Sequence, residues 1–406
     1  MIQGKKILLG ICGSIAAYKA AVLARLLVKH GAQVRVIMTP GACSFITPLT
    51  LSTLTNHEVI TQFYNSDTAV WNNHVQLGLW ADVVLIAPAS ASVMSRLATG
   101  LCNDVLAATY LSARCPVVLA PAMDVDMWHH PATQANIAKL KSYGNHIIPV
   151  AHGFLASGLV GDGRMAEPEE IVTYLETFFM RQQHPDIIAK LSGKKLLITA
   201  GPTYEPIDPV RFIGNRSSGK MGIALAQTAT ALGAQVTLVL GPTNLRPQPA
   251  DNLTLITVET ADQMYQAAIK LFGQTQIAIL SAAVSDYTPE QVSEQKIKKT
   301  EGGLTIPLTK TADILAYCGL HKKAGQFVVG FALETNDEVS YAQKKLQIKN
   351  ADLIVLNSLR DAGAGFGHDT NKISFILPNA APIALPLLPK TAVALEILDK
   401  IADSIA

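Results

Sequence analysis

The stretch Lys6-Ile-Leu-Leu-Gly10-Ile-Cys-Gly13-Ser14-Ile-Ala-Ala-Tyr-Lys19 decides the fold. It opens as an apolar strand, Lys6 to Gly10, turns at glycine, and enters a helical pattern from Ser14 to His30 with Ile15, Val22, Leu23, Leu26 and Leu27 at helical spacing. A second apolar strand, Gln33 to Met38, follows at once. Strands that are apolar along their whole length and alternate with helices belong to a parallel sheet covered on both faces. Further runs at Val83 to Ala87, Val117 to Ala120 and His146 to Pro149 make the first half a doubly wound α/β domain. The lysines and apolar run of the opening also have the outline of a secretory leader. The glycine breaks and the helical continuation favour strand, turn and helix instead.

Beyond the polar stretch Arg181-Gln-Gln-His-Pro-Asp186 the pattern restarts at Lys195-Leu-Leu-Ile-Thr. A helix from about Gly219 to Leu232 and strands Gln235 to Leu240, Ile277 to Ser281, Gln326 to Gly330 and Leu353 to Leu356 complete a second α/β domain. The expected division is 1–188 and 189–406.

Composition agrees with this division. The 406 residues are 49% hydrophobic and 16% charged, with a formal net charge of +2, enough to bury large cores. Nucleic-acid binding is disfavoured, because phosphate affinity needs clustered Lys and Arg, and the densest group is only Lys296-Ile-Lys-Lys299. The five cysteines are scattered and show no metal spacing, which suits a reducing cytoplasm. No apolar run is long enough for a membrane span.

Each half places a glycine turn between its first strand and first helix, where free N–H groups and the helix dipole favour an anion. Gly10-Ile-Cys-Gly13-Ser14 lacks the spaced dinucleotide fingerprint, and the second strand ends in Met38-Thr39-Pro40 without a ribose-holding acid. That disfavours NAD and leaves a mononucleotide such as FMN. Gly214-Asn-Arg-Ser-Ser-Gly219-Lys220-Met221 has P-loop spacing but puts Met221 where Mg²⁺ needs a hydroxyl, so it reads as a nucleotide or phosphate loop of another kind. Asp286, at a strand's C-terminal end, is a candidate to face a Mg²⁺-nucleotide, with helix capping as the alternative.

Several longer motifs carry a family resemblance. Gly13-Ser-Ile-Ala-Ala-Tyr-Lys19, Asn73-His74-Val-Gln-Leu, Ala87-Pro-Ala-Ser90, Pro121-Ala-Met-Asp124 and Gly161-Asp-Gly-Arg-Met165 resemble the FMN-dependent cysteine decarboxylases. Thr199-Ala-Gly-Pro-Thr-Tyr-Glu-Pro-Ile-Asp-Pro-Val-Arg211, Asn215-Arg-Ser-Ser-Gly-Lys-Met-Gly222, Ala282-Ala-Val-Ser-Asp-Tyr287 and Lys296-Ile-Lys-Lys299 resemble phosphopantothenoylcysteine synthetases. In this order, the whole chain is similar to the bifunctional coenzyme A biosynthesis proteins, phosphopantothenoylcysteine decarboxylase joined to phosphopantothenate–cysteine ligase.

The resemblance implies a flavodoxin-like first domain of the homo-oligomeric flavin-containing cysteine decarboxylase kind, with FMN at Gly13, Ser14, Thr39, Phe45 and Ser90. Substrate contacts are implied at Arg164 and Met165, and a catalytic base at His74. In the second, Rossmann-like domain it implies CTP at Asp286, Lys296, Asp313, Phe331, Lys345 and Lys349, with Mg²⁺ at Asp286. Arg211, Asn215 and Ala282 would meet the substrate. Lys296 would offset charge as an acyl-cytidylate forms, and Asn215 would contact that intermediate before cysteine attacks. Without the motif, Lys345 and Lys349 would read as a solvated helix face. The family also implies trimeric flavin domains and dimeric ligase domains, which together close a dodecamer. Small-molecule substrates and a cytoplasmic location go with it.

Two positions depart from the family. Its usual Pro-Ala-Met-Asn, whose amide would hold the substrate carboxylate, reads Pro121-Ala-Met-Asp124, and an ionised Asp124 offers no donor. The mobile-loop cysteine expected as proton donor is Ser157, a much weaker acid. Complete decarboxylation at a rearranged site is the favoured expectation. The alternatives are a domain that stops at the oxidised enethiol, or an FMN-binding interaction module. Interaction modules of that kind carry acidic tails, unlike Asp403-Ser-Ile-Ala406. Flavin prenyltransferase shares the fold, but the ligase motifs count against it.

Overall fold

The computed structural model describes residues 2–64, 71–299, 303–334, 337–358, 365 and 367–405. The chain divides into two compact units, 1–182 and 183–406. The junction therefore precedes the position expected near 188. Helix Pro185–Leu191 belongs to the second unit, where Ile187 and Leu191 are buried and Lys190 Nζ lies 3.2 Å from Asp403 Oδ1 of the C-terminal helix Lys390–Ser404.

In the first unit the parallel sheet runs Val59–Ile60, Gln33–Met38, Lys6–Ile11, Val83–Ala89, Val117–Pro121, His146–Ile147. Without the edge strand Val59–Ile60 this is the flavodoxin-like order 2-1-3-4-5. Alternate residues of each strand face opposite cores. Ile7, Leu9, Val36 and Leu85 pack with helices Tyr18–Lys29 and Pro168–Gln183, while Leu8, Ile37, Val84 and Leu119 pack with Leu77, Leu97, Leu106 and Leu140 of helices on the other face. The first helix differs from its expected face. Ser14 caps a short 3₁₀ turn, Ile15–Ala17, before the α-helix starts, and this turn resets the phase. The residues buried against the sheet are Ala20, Leu23, Ala24 and Leu27, and Ile15 and Val22 are exposed.

The second unit has an eight-stranded sheet among the described residues: Leu253–Thr257, Gln235–Leu240, Lys195–Ala200, Ile277–Leu280, Phe327–Glu334, Leu353–Ser358, Ile373–Ile376, Ile383–Ala384. The first six pair in parallel in Rossmann order, and the last two extend the edge antiparallel. Helices Ala261–Phe272, Ile314–His321 and Glu338–Ile348 cover the face that carries Leu197 and Ala278. Helix Lys220–Ala231 packs so closely on the strand Lys195–Ala200 that a Cβ on Gly222 would lie 2.3 Å from the Ala200 Cβ. No helix of the described residues is long and apolar enough to cross a membrane.

Candidate functional sites at the C-terminal edges of both sheets

In open parallel sheets, ligands bind beyond the carboxyl ends of the strands, where the strand order reverses. In the first unit, the turns after the central strands meet there. Thr39 N donates to Ile11 O at 3.0 Å and Cys12 N to Pro88 O at 3.3 Å, which brings Gly13, Ser14, Thr39 and Ser90 to one edge. A Cβ on Gly13 would stand 3.0 Å from the Gly41 carbonyl carbon, a tight contact that would make the Gly41 backbone give by a few tenths of an ångström. Ser14 Oγ accepts from Ala16 N at 3.2 Å and Ser90 Oγ from Val93 N at 3.3 Å. Both hydroxyl protons stay available to an anion at helix N-termini. Phe45, which ends the short turn Ala42–Ser44 after Gly41, is half exposed. Burial pushes the Cys12 thiol up to about 12, so it serves as packing at this edge.

Helix His74–Trp80, capped by Asn73, returns the chain from this edge to the start of strand Val83–Ala89. His74 therefore begins at the ligand edge. Its Nδ1 is buried without a hydrogen-bond partner among the described residues, and its ring lies edge-on to Phe63 and Trp71 with centroids 6.0 and 6.3 Å away. An orphaned polar atom, a close-approach glycine and two free hydroxyls fit a phosphorylated flavin.

Asp124 follows strand Val117–Pro121 and caps helix Val125–His129, with Oδ1 accepting from Val125 N at 2.7 Å. A hairpin, Ala151–Phe154 with Val160–Arg164, docks here: Met123 N donates to Gly163 O at 3.0 Å. Gly163 adopts φ +129°, and a Cβ there would lie 2.5 Å from Met123 O. Met165 is buried, and its carbonyl accepts from the buried Lys19 Nζ at 3.0 Å. The same ammonium lies 2.9 Å from Glu167, which also pairs with Arg164. Ser157 is set apart from this cluster. It sits in the exposed hairpin turn, and no hydrogen bond joins its side chain to His74 or Asp124 in the described structure.

The second unit contains a cleft of about 780 Å³. Asn215, Ala282, Asp286, Asp313, Phe331, Lys345 and Lys349 all line it. Lys345 Nζ donates to Phe331 O at 2.8 Å and Lys349 Nζ lies 2.8 Å from Asp313, so both lysines turn into the cleft and the solvated-face alternative fails. Asn215 Nδ2 donates to the carbonyls of Ala283 and Val284, at 2.9 and 3.2 Å. Asp313 caps helix Ile314–His321, whereas Asp286 caps no helix and leaves its exposed carboxylate unpaired among the described residues. No group of three metal-binding side chains occurs among the described residues. A single carboxylate working with ligand phosphates is a common arrangement for Mg²⁺.

Arg211 and Lys296 are not among the cleft's lining residues. Arg211 is held by Asp208 and donates to Ile297 O at 2.8 Å, and Lys296 is exposed. Lys220, from the loop Gly214 to Met221, also lines the cleft, as do Asn357, Asn371 and Lys390, which stand in no motif that marks their direction. Lys220 pairs with Asp369 at 2.7 Å. Lys390 is 7% exposed, and burial together with the Lys220 charge holds its ammonium below the usual lysine range. Asn357 Oδ1 is buried without a partner among the described residues.

Fold and sites together define a two-unit α/β protein in which a flavoprotein domain precedes a domain with a lysine-lined cleft. The Flavoprotein family matches residues 1–180, and the DNA/pantothenate metabolism flavoprotein C-terminal domain family matches residues 191–405. The chain belongs to the family of coenzyme A biosynthesis bifunctional proteins, being 45% identical over 402 residues to CoaBC of Bacillus subtilis (strain 168), across 99% of this chain and 98% of the relative. It is also 52% identical over 356 residues to a cysteine/cysteine sulfinic acid decarboxylase from an unknown prokaryotic organism, across 88% of this chain and 98% of that one. Among solved structures, the C-terminal domain of a coenzyme A biosynthesis bifunctional protein CoaBC shares 43% identity over 53% of this chain and 97% of its own, with a TM-score of 0.45.

Proposed function

We propose that the chain ligates cysteine to 4'-phosphopantothenate at the expense of CTP, and then decarboxylates the product to 4'-phosphopantetheine with FMN. The observation that carries this is the convergence of Asn215, Ala282, Asp286, Asp313, Phe331, Lys345 and Lys349 on one cleft. Its lysines suit a triphosphate, and Asp286 suits the accompanying Mg²⁺. The substrate carboxylate would displace pyrophosphate from CTP, and the amine of cysteine would then displace CMP to form the amide. Lys296 would offset the negative charge gathered in the first step, and Asn215 would orient the acyl group.

In the first unit, bound FMN would supply a hydride acceptor and then a hydride donor, so that loss of CO₂ is redox-neutral overall. Ser14, Thr39 and Ser90 would hold its phosphate and Phe45 would cover it. His74 would move the proton, its aromatic neighbours excluding water from one side of the ring. Arg164 and Met165 lie where the hairpin meets Asp124 and would border the substrate. Ser157 would reach it only through movement of the hairpin. The expected assembly of trimeric flavin domains and dimeric ligase domains remains part of the proposal, and exposed Phe154 and Val160 on the hairpin are of the kind such contacts cover.

Asp124 favours a second reading, in which the first unit decarboxylates free cysteine. A carboxylate with one oxygen on Val125 N keeps the other for a cation. Free cysteine carries an α-ammonium, whereas amide-linked cysteine has none. The relative named a cysteine/cysteine sulfinic acid decarboxylase points the same way.

The test is anaerobic incubation with 4'-phosphopantothenate, cysteine, CTP and Mg²⁺, followed by mass spectrometry. Phosphopantetheine is the expected product. Cysteamine from cysteine alone would move the assignment to the second reading. Arrest at phosphopantothenoylcysteine, or at a species two hydrogens lighter than phosphopantetheine, would show that decarboxylation or its reductive half is missing.

A further inference from the structure

Asp208 is 2% exposed, yet it lies in a loop and belongs to no regular element. Its Oδ1 accepts from the backbone N–H groups of Val210 at 2.8 Å and Arg211 at 2.9 Å. Its Oδ2 accepts from Arg211 Nε at 2.9 Å, from the terminal guanidinium nitrogen, and from Ile297 N at 3.1 Å. Arg211 then donates to Ile297 O at 2.8 Å, so a carboxylate and a guanidinium grip both polar atoms of Ile297. Ile297 follows Lys296 directly. Elsewhere in this loop, Ser293 N donates to Ile207 O and Glu290 N to Pro307 O, both at 3.0 Å.

We infer that Asp208 is a positioning residue of the ligase: it locks Arg211 and the Lys296 loop into one clamp that fixes where the Lys296 ammonium is presented. This rests on the ligase reading above. Asp208 itself is saturated with donors and shielded from solvent, so it has no free lone pair to offer a substrate. It joins Arg211, an expected substrate contact, to Ile297, the neighbour of the expected catalytic Lys296, and both Arg211 and Lys296 lie outside the cleft lining. On an untethered loop the lysine ammonium would be spread by backbone as well as side-chain motion, and gripping Ile297 removes the backbone part of that spread.

The experiment measures pyrophosphate release in a single turnover of the full chain with 4'-phosphopantothenate, CTP and Mg²⁺, before cysteine is added. Asp208→Asn is expected to slow this step by about 100-fold while the KM for CTP stays within about twofold, the pattern of a misplaced group in an intact cleft. Combined with Lys296→Met, it should add nothing to the loss caused by Lys296→Met alone. If Asp208→Asn fails to fold, Ile297→Pro removes one gripped N–H and should reproduce the loss. Multiplicative effects, or a lower melting temperature with an unchanged rate, would overturn the clamp. A wild-type chain that releases no pyrophosphate would sink the ligase reading, and the role of Asp208 with it.

Discussion

Lys349 Nζ lies 2.8 Å from Asp313 Oδ2, joining the end of helix Glu338–Ile348 to the N-cap of helix Ile314–His321 on the wall of the cleft. Burial works against ionisation of Asp313, but the Lys349 hydrogen bond, the Ala316 N–H and the Lys345 charge outweigh it and hold the carboxyl below the usual range. The cation is thus oriented before any ligand arrives, which lowers the entropic cost of gripping a phosphate. Replacing Lys349 with Met is expected to raise the KM for CTP about tenfold, the scale of one hydrogen bond to a charged group. Stability should fall by less than about 1 kcal/mol, because the pair is half open to water. Initial rates against CTP and a thermal melt check both parts.

Glu167 supports a pH prediction in the first unit. Its hydrogen bond to Lys19 is the chief cause of a lowered carboxyl pKa, opposed by burial and reinforced by the Lys19 and Arg164 charges. A depressed acid contributes stability that is present above its unfolded value, 4.5, and is lost as pH falls through the lower folded value. Glu167→Gln should therefore destabilise the unit at pH 7, by less than about 1 kcal/mol because water screens the 39% exposed carboxylate, since the buried Lys19 loses a charged partner. The gap between variant and wild type should close at acid pH. Melting curves at neutral pH and below the unfolded value would show it, and a gap that widens in acid would refute the sign.

Two hairpin glycines should respond differently. Gly158 has φ +88° with nothing within 4 Å of a built Cβ, so Gly158→Ala carries only the left-handed strain, about 1 kcal/mol. Gly163 combines φ +129° with a Cβ that would collide with Met123 O. Gly163→Ala should cost about 3 kcal/mol or more and displace the hairpin from Asp124. Chemical denaturation ranks the two, and product analysis should show the decarboxylation failing only in the second.

The parallel strands were legible because burial on both faces writes unbroken apolar runs such as Val83–Ala89 and Ile277–Leu280. The cleft residues were legible through motifs, since composition alone gives Lys345 and Lys349 no direction. Other features left no such trace. The hairpin Ala151–Phe154 with Val160–Arg164 is rich in glycine and polar residues, and Val59–Ile60 is too short for any period. The edge strands Ile373–Ile376 and Ile383–Ala384 depend on pairing partners along the sheet edge. Asp208 is the sharpest case, because its bond to Ile297 spans 89 positions and no local pattern announces it.

His74 gives the last prediction. Its Nδ1 is buried and without a partner among the described residues, an arrangement that costs stability unless a ligand or the reaction uses the nitrogen. His74→Asn keeps a polar group of similar reach but cannot exchange a proton near neutral pH. Decarboxylation should then fall by roughly 100-fold or more, the usual scale for losing a general acid–base group. Flavin should still copurify with the variant, because Gly13, Ser14, Thr39 and Ser90 lie on other elements. Flavin absorbance and product yield, measured on the same preparation, separate the roles. Loss of flavin would make His74 part of the binding site, and full yield with flavin retained would remove it from the chemistry.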